Sequence, residues 1–325
     1  MNPGVVFVVE PGDLEQKAIL LADSLRFFGG LDPAIPIFAI NPGRKGSICA
    51  ATKKKLNKSN VELVQEKLNL SYKFYPLANK IFASAYCEQK FDHEFDTLVF
   101  LDTDLLVLNC VSDLFNINPN HQVKVKPEER INTGQKPNEP LNVFWKMIYE
   151  HCGIHDLEKV WSVKSAVGST QMRALYNPSL IVKKSGNGFY QQWLRNFEKV
   201  MTNIRLFEIN YLQFYFIELS VFSATAVKMF KKEELDELSH VHNYPIHLHN
   251  TIENPAKRLD ELTILHYHNH LRNRRELELF EIPDKYYDWL RDYLPQQICN
   301  KPLFQRLNEI IAFQKHKLKY KYNLI

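Results

Sequence analysis

The sequence has no apolar run long enough to cross a bilayer, which argues against a membrane-spanning helix. Its five cysteines, Cys49, Cys87, Cys110, Cys152 and Cys299, are scattered and form no C-x-x-C pair. A disulfide framework and a cysteine-based zinc site are not expected; free thiols in a reducing compartment are. No G-x-x-x-x-G-K-S/T occurs, so a phosphate-cradling P-loop is absent. Internal repeats and low-complexity segments are missing too. Charge is nearly balanced, with 41 Lys and Arg against 37 Asp and Glu. The cluster Lys53-Lys54-Lys55 and the tail from Lys315 to Lys321 are the basic exceptions, read as solvated faces. Nucleic-acid binding therefore has little support, and membrane contact is at most peripheral, through the tail and an anionic surface. The opening run Val5 to Val9 lacks a preceding basic region and meets Glu10-Pro11-Gly12, so it reads as a first strand and not as a signal peptide. With no anchoring segment, a cytoplasmic enzyme is expected.

What is present suits a folded domain. The 325 residues are 45% hydrophobic and 24% charged, enough to bury a sizeable core. The first hundred residues alternate strand and helix. Asp13, with Gln16 three residues on, is the expected N-cap of a helix over Leu14 to Phe28 that stops at Gly29-Gly30. Ile35 to Ile40 and Val61 to Leu63 read as strands, Tyr75 to Gln89 as a helix, and Phe95 to Leu101 as a buried parallel strand. Gln122 to Pro140 is polar and holds three prolines, which predicts a long surface loop. Leu141 to Cys152, Gly188 to Met201 and Phe207 to Phe222 read as helices, Ala174 to Lys183 and Leu262 to His266 as strands. From Pro283 onward helical patterns dominate. The expected class is α/β, with a mainly parallel sheet flanked by helices and a C-terminal helical tail. Residues 1–275 are expected to form the catalytic domain and 276–325 the helical extension.

The strongest chemical signal is Asp102-Thr103-Asp104, directly after the apolar strand Thr97 to Leu101. Residues two apart in extended backbone face the same side. The carboxyl end of a parallel strand is also where open α/β sheets place their ligands. Two carboxylates there suit a hard divalent cation, Mn²⁺ or Mg²⁺, bridging the phosphates of a nucleoside diphosphate. A second signal is Ile264-Leu265-His266-Tyr267-His268, an apolar strand ending in two imidazoles on one side.

This layout resembles the GT-A fold of glycosyltransferases over roughly residues 5 to 270, most closely the retaining glycogenin-like and galactosyltransferase-like group. The resemblance implies a metal-dependent transfer of a hexosyl unit from a UDP- or GDP-sugar to a saccharide or other hydroxyl acceptor, with retention. It implies that Asp104 ligates the metal, that Asp102 contacts the metal or the donor ribose, and that Thr103 lies with them at the donor. It places Glu10, Pro11 and Gly12 beside the nucleobase, Arg44 at the base or phosphates, and Asn79 and Lys80 facing the donor. His266-Tyr267 matches the group's late His-aromatic pair, whose His completes the metal site. The Gly that usually follows is Asn269 here, so either His266 or His268 is the implied ligand. Arg272, with Arg274 and Arg275, would hold the diphosphate. Asn177 and Ser179 match a sugar-lining strand, although Leu180 stands at its Gly position. Glu208 is the local candidate for the acid beside the reacting sugar, with Ile209 in place of the usual Gln.

Two other readings stay open. An Asp-x-Asp after an apolar strand also opens phosphatases of the haloacid-dehalogenase type, though here a whole βαβ segment precedes it. A non-catalytic binding domain could keep the same fold. The stretch from His240 to His249 holds four histidines but matches no zinc spacing, and is read as a loop and strand on the acceptor side.

Overall fold

The computed structural model describes residues 2–43, 46–268, 271, 277–294, 310–311, 313–315 and 317–318. Strand and helix alternate first: β1 (Pro3–Val8), α1 (Asp13–Phe27), β2 (Ile37–Asn41), α2 (Ala50–Lys58), β3 (Val61–Gln65), α3 (Ala78–Phe91) and β4 (Thr97–Leu101). Beyond the acidic triplet come β5 (Leu105–Val107), β6 (Val123–Pro127), α4 (Val143–Cys152), β7 (Ser162–Lys164), β8 (Gln171–Arg173) and β9 (Tyr176–Lys184). The chain continues with α5 (Phe189–Asn203), α6 (Tyr211–Tyr215), α7 (Ile217–Met229), β10 (Leu235–Glu237), β11 (Tyr244–Pro245), β12 (Ile264–His266) and α8 (Asp284–Leu290).

Seven strands form the main sheet in the order β10-β6-β9-β4-β1-β2-β3. The run from β4 to β3 is parallel. β9 is antiparallel to both β4 and β6, and β10 is parallel to β6. The expected mainly parallel sheet between helices is therefore present. The strands β1, β2 and β4 are buried along their whole length because both faces are covered. Val6 and Val8 of β1 point into one core with Phe100, Trp193 and Phe222. Val5 and Phe7 point the other way, into a core with Leu21 and Leu56 from α1 and α2. Burying each such large side chain contributes roughly 1.5–3 kcal/mol. A third core joins Leu106 and Leu265 to Tyr286 and Leu290 of α8. It lies on a small separate sheet, β11-β12-β5, in which β12 is antiparallel to β5. Among the described residues no helix is long and apolar enough to cross a membrane.

Three local expectations are corrected. Gly12, not Asp13, caps α1: its φ of 99° favours glycine. Its N–H donates to Glu15 Oε1 at 3.3 Å, so the reciprocal partner is Glu15 and not Gln16. The polar segment Gln122 to Pro140 is not all loop, since β6 lies inside it, pairing with β9 and β10. The single helix expected over Phe207 to Phe222 is broken, with α6 ending at Tyr215 and α7 running on to Met229.

Candidate active site

The site is built at the carboxyl ends of β1 and β4. The ladder of β4 extends one residue, with Asp102 N–H donating to Ser179 O at 2.7 Å. The chain then turns sharply, and Leu105 N–H reaches Asp102 O at 3.3 Å. The triplet is therefore a tight turn and not the extended segment expected. Thr103, buried, donates its hydroxyl to Val8 O at 2.5 Å and so fastens the turn to β1. The two carboxylates flanking Thr103 have different partners.

Asp102 Oδ2 lies 2.8 Å from Lys80 Nζ, and the same ammonium lies 3.0 Å from Glu218 Oε1. Lys80 comes from the first turn of α3 and Glu218 from the start of α7. Burial opposes the lysine's charge, but Asp102 and Glu218 outweigh it and push its pKa up. Burial raises both acids, and Lys80, shared between them, offsets this only in part.

Asp104 faces imidazoles. His266 Nε2 is 3.4 Å from Asp104 Oδ1, and His268 Nδ1 is 3.8 Å from Asp104 Oδ2. The register explains the meeting: β12 pairs His266 with Leu105, and Tyr267 N–H donates to Asp104 O at 3.1 Å. The His266 and His268 rings are 3.7 Å apart, centroid to centroid. Lys17 of α1 adds an ammonium 3.8 Å from Asp104 and donates to His268 O at 2.6 Å. His268 has φ 49°, a left-handed backbone that non-glycine residues seldom adopt. Burial would raise the Asp104 pKa, but Lys17 and the His266 hydrogen bond override it and hold the carboxyl well below the usual range. Burial, reinforced by His266, pushes His268 well down, so its ring is neutral at neutral pH.

These three side chains present one carboxylate oxygen and two imidazole nitrogens within 4.8 Å of one another. His266 is buried, and its Nδ1 has no hydrogen-bond partner among the described residues. A buried polar atom without a partner is costly. An ionised carboxylate and two imidazoles converging within 4.8 Å fit a divalent cation.

A second polar layer lies behind. Asn177 Nδ2 donates to Glu128 Oε2 and Glu129 Oε2, each at 3.0 Å. Lys126, fully buried, donates to Glu129 Oε1 at 2.9 Å and to Asn243 O at 2.5 Å. Asn243 Nδ2 donates in turn to Ser179 Oγ at 2.7 Å. Burial and the neighbouring Glu129 hold Glu128 well above the ordinary range. Burial works the same way on Glu129, but Lys126 outweighs it and holds that carboxyl low.

The remaining predicted residues are distributed as follows. Glu10 is buried and accepts from Asn79 Nδ2 at 2.5 Å, which joins the end of β1 to α3. Pro11 and Gly12 are half-buried on the way into α1. Asn177 sits inside the second layer. Glu208 ends a 3-10 turn and pairs with Arg205 at 3.1 Å on the surface. Arg44 and Arg272 lie outside the described residues, as do Arg274 and Arg275. Sequence reasoning missed Lys17, Lys126, Glu128, Glu129 and Glu218. Glu218 did carry a signal, as the one acid in the otherwise uncharged run Ile217 to Val227.

The sequence profile of the Rhodobacterales glycosyltransferase domain matches residues 5–211. No curated protein sequence matches the chain. Among solved structures, the WbbM bifunctional glycosyltransferase in its apo form is similar with a TM-score of 0.51 at 13% identity, covering 96% of this chain and 51% of that one. The apo form of the glycosyltransferase GlyE from Streptococcus pneumoniae TIGR4 gives a TM-score of 0.50 at 12% identity, covering 93% of this chain and 66% of that one. The chain thus spans about half the length of WbbM. At these identities the likeness carries the fold, a mixed α/β arrangement of GT-A type. The profile match covers well over half of the sequence, and the chain belongs to the Rhodobacterales glycosyltransferase domain family.

Proposed function

We propose that the protein transfers a hexosyl unit from a nucleoside-diphosphate sugar, UDP- or GDP-linked, to a hydroxyl of a saccharide or similar acceptor, with retention of anomeric configuration. The observation that carries this reading is the Asp104, His266 and His268 cluster, set at the end of β4 beside Asp102. Those three side chains would hold Mn²⁺ or Mg²⁺, and the two imidazoles favour Mn²⁺. A divalent ion bound there supplies charge neutralisation for a departing diphosphate.

The chain's own groups do the rest. Lys80 supplies a fixed cation beside Asp102, preorganised by Glu218 and needing no reorganisation as negative charge builds. Glu218 positions Lys80 at the triplet, and Glu208, paired with Arg205, remains the proposed acid beside the reacting sugar. Asn177, fixed by Glu128 and Glu129, orients the polar wall on which a sugar would rest. Glu10, Pro11 and Gly12 border the base from the end of β1. Arg44 and Arg272 remain proposed contacts to the phosphates.

The test is a panel of nucleotide sugars incubated with Mn²⁺, reading release of nucleoside diphosphate. The expected result is release from one UDP- or GDP-sugar, abolished by Asp104→Asn. Release from none of them would overturn the proposal. Turnover of an aryl phosphate by the same preparation would instead favour the phosphatase reading.

A further inference from the structure

Away from the acidic triplet, α1, α2 and α8 close around a cavity of about 670 Å³. That is the volume of a small-molecule site, in which apolar and aromatic walls carry a few polar groups. Pro33 and Asn60, just ahead of β2 and β3, line it, so it lies at the opposite end of the sheet from Asp104. α1 spans the gap. Lys17 reaches Asp104, and Phe27, on the cavity wall, is ten residues further, roughly 15 Å along the helix. Three aromatic rings form one wall. Trp289 stacks on Tyr293 with centroids 4.3 Å apart, and on Phe27 at 6.0 Å. Phe27 is 64% exposed, so this wall offers apolar surface to a ligand. The polar lining carries both signs. Asp23 accepts from the Ser59 hydroxyl and, at 2.6 Å, from the Tyr293 hydroxyl. Each of its oxygens keeps a second lone pair. Asp292 adds an exposed carboxylate, and Lys55 and Lys58 add exposed ammoniums. The Arg26 guanidinium is engaged by the backbone carbonyls of Asp32, Ile35, Ser59 and Asn60.

We infer that this cavity binds an uncharged saccharide, as a subsite for a part of the acceptor distant from the reacting hydroxyl. The lining selects the class. A sugar ring has C–H faces that rest on aromatic rings, and hydroxyls that both donate and accept. Donating hydroxyls suit Asp23 and Asp292, and accepting ones suit Lys55 and Lys58. A nucleotide or other polyanion would meet two carboxylates. An apolar ligand would strip water from four charged groups and replace none of it. Binding of a saccharide stands on the cavity alone; its assignment to the acceptor rests on the function proposed above. A second hold on the acceptor raises its effective concentration at the reacting end.

Lactose, maltotetraose, mannotetraose and N-acetylchitotetraose are titrated, without donor or metal, into the native protein, Trp289→Ala and Phe27→Ala. UMP is the anionic control. Circular dichroism establishes folding, and Phe27→Ala, changed at an exposed ring, keeps the test open if Trp289→Ala does not fold. Saturation-transfer NMR finds which saccharide binds, and calorimetry gives its affinity. At least one should bind the native protein. Phe27→Ala should weaken it about fivefold and Trp289→Ala about tenfold or more. Asp104→Asn should bind it as the native protein does. Binding of none, equal binding by both ring variants, loss in Asp104→Asn, or UMP binding that Phe27→Ala weakens would overturn the site. For the acceptor half, transfer is compared between a long acceptor ending in the bound saccharide and its terminal monosaccharide. Phe27→Ala should raise KM for the long acceptor about fivefold, and that for the monosaccharide by less than about twofold. No rise for the long acceptor, or an equal rise for both, overturns that half alone. Because the binding titrations use neither donor nor metal, failure of the subsite is distinguishable from failure of glycosyl transfer.

Discussion

Lys80 stands 2.8 Å from Asp102, so the first aspartate of the triplet already has a protein cation. Asp104, two residues on, faces two imidazoles, with the Lys17 ammonium farther off at 3.8 Å. The same lysine holds Glu218, and its side chain is only 11% exposed. Lys80→Met would leave two largely buried carboxylates without a counter-ion. The expected cost is about 3–5 kcal/mol, since removing one partner strands the other's charge. Urea denaturation measures it, with Lys80→Arg as the charge-preserving control. A loss below about 1 kcal/mol would show that the pair is effectively solvated.

The division of partners makes the two aspartates unequal. Asp104→Asn should weaken Mn²⁺ binding by more than tenfold, and Asp102→Asn by clearly less, because Lys80 already occupies its carboxylate. Calorimetric titration with Mn²⁺ compares the two directly. Equal losses would mean that both aspartates ligate the ion, with Lys80 displaced.

Glu128 makes stability depend on pH. Its folded-state pKa lies above the unfolded value, so the native protein keeps a proton that the unfolded chain releases near pH 4.3. Stability is therefore lost as pH rises beyond that point, towards the raised folded-state value. Glu128→Gln removes this slope. The difference in melting temperature between variant and native protein should move in the variant's favour between about pH 4.5 and 8. A constant difference over that range would show that Glu128 ionises normally.

Thr103→Val keeps the shape of the turn and deletes the hydroxyl that bonds Val8 O. The expected loss is about 1–2 kcal/mol. Thermal unfolding reads the stability, and the Mn²⁺ titration reads the site. If stability falls while Mn²⁺ affinity stays intact, the turn holds its geometry without that bond.

The parts of this site that could be read from sequence are those with local causes. Thr97 to Leu101 is apolar because both faces of its strand are covered, and the switch to Asp102 marks the strand's end. His266 and His268 stand out because imidazoles close an apolar strand. The parts that stayed hidden are buried charges whose partners lie, wholly or in part, far along the chain. Lys126 alternates with Val123 and Val125 as a strand residue should, yet its fully buried ammonium depends on Glu129 and on Asn243 O, a carbonyl 117 residues away. Glu218 is compensated by Lys80, more than a hundred residues earlier. Glu129 lies only three residues from Lys126, but no window of local sequence contains Lys126 with Asn243, or Glu218 with Lys80. The break between α6 and α7 was invisible for another reason. Eleven residues of α7, from Ile217 to Val227, are buried without interruption, so no amphipathic period marks where it begins.

The pairing of β5 with β12 also bears on how the protein matures. His266 sits opposite Leu105 in that ladder, although roughly 160 residues separate them. During synthesis the triplet is made long before its imidazoles, and the ion-binding set is completed only when β12 has docked. Until then β5 presents the unpaired backbone of a sheet edge, the kind of surface on which nascent chains aggregate. A chain cut before residue 264 would keep the whole parallel sheet, both aspartates and Lys80 while lacking His266 and His268. Such a fragment should fold in large part, bind no manganese at Asp104 and precipitate more readily than the complete chain.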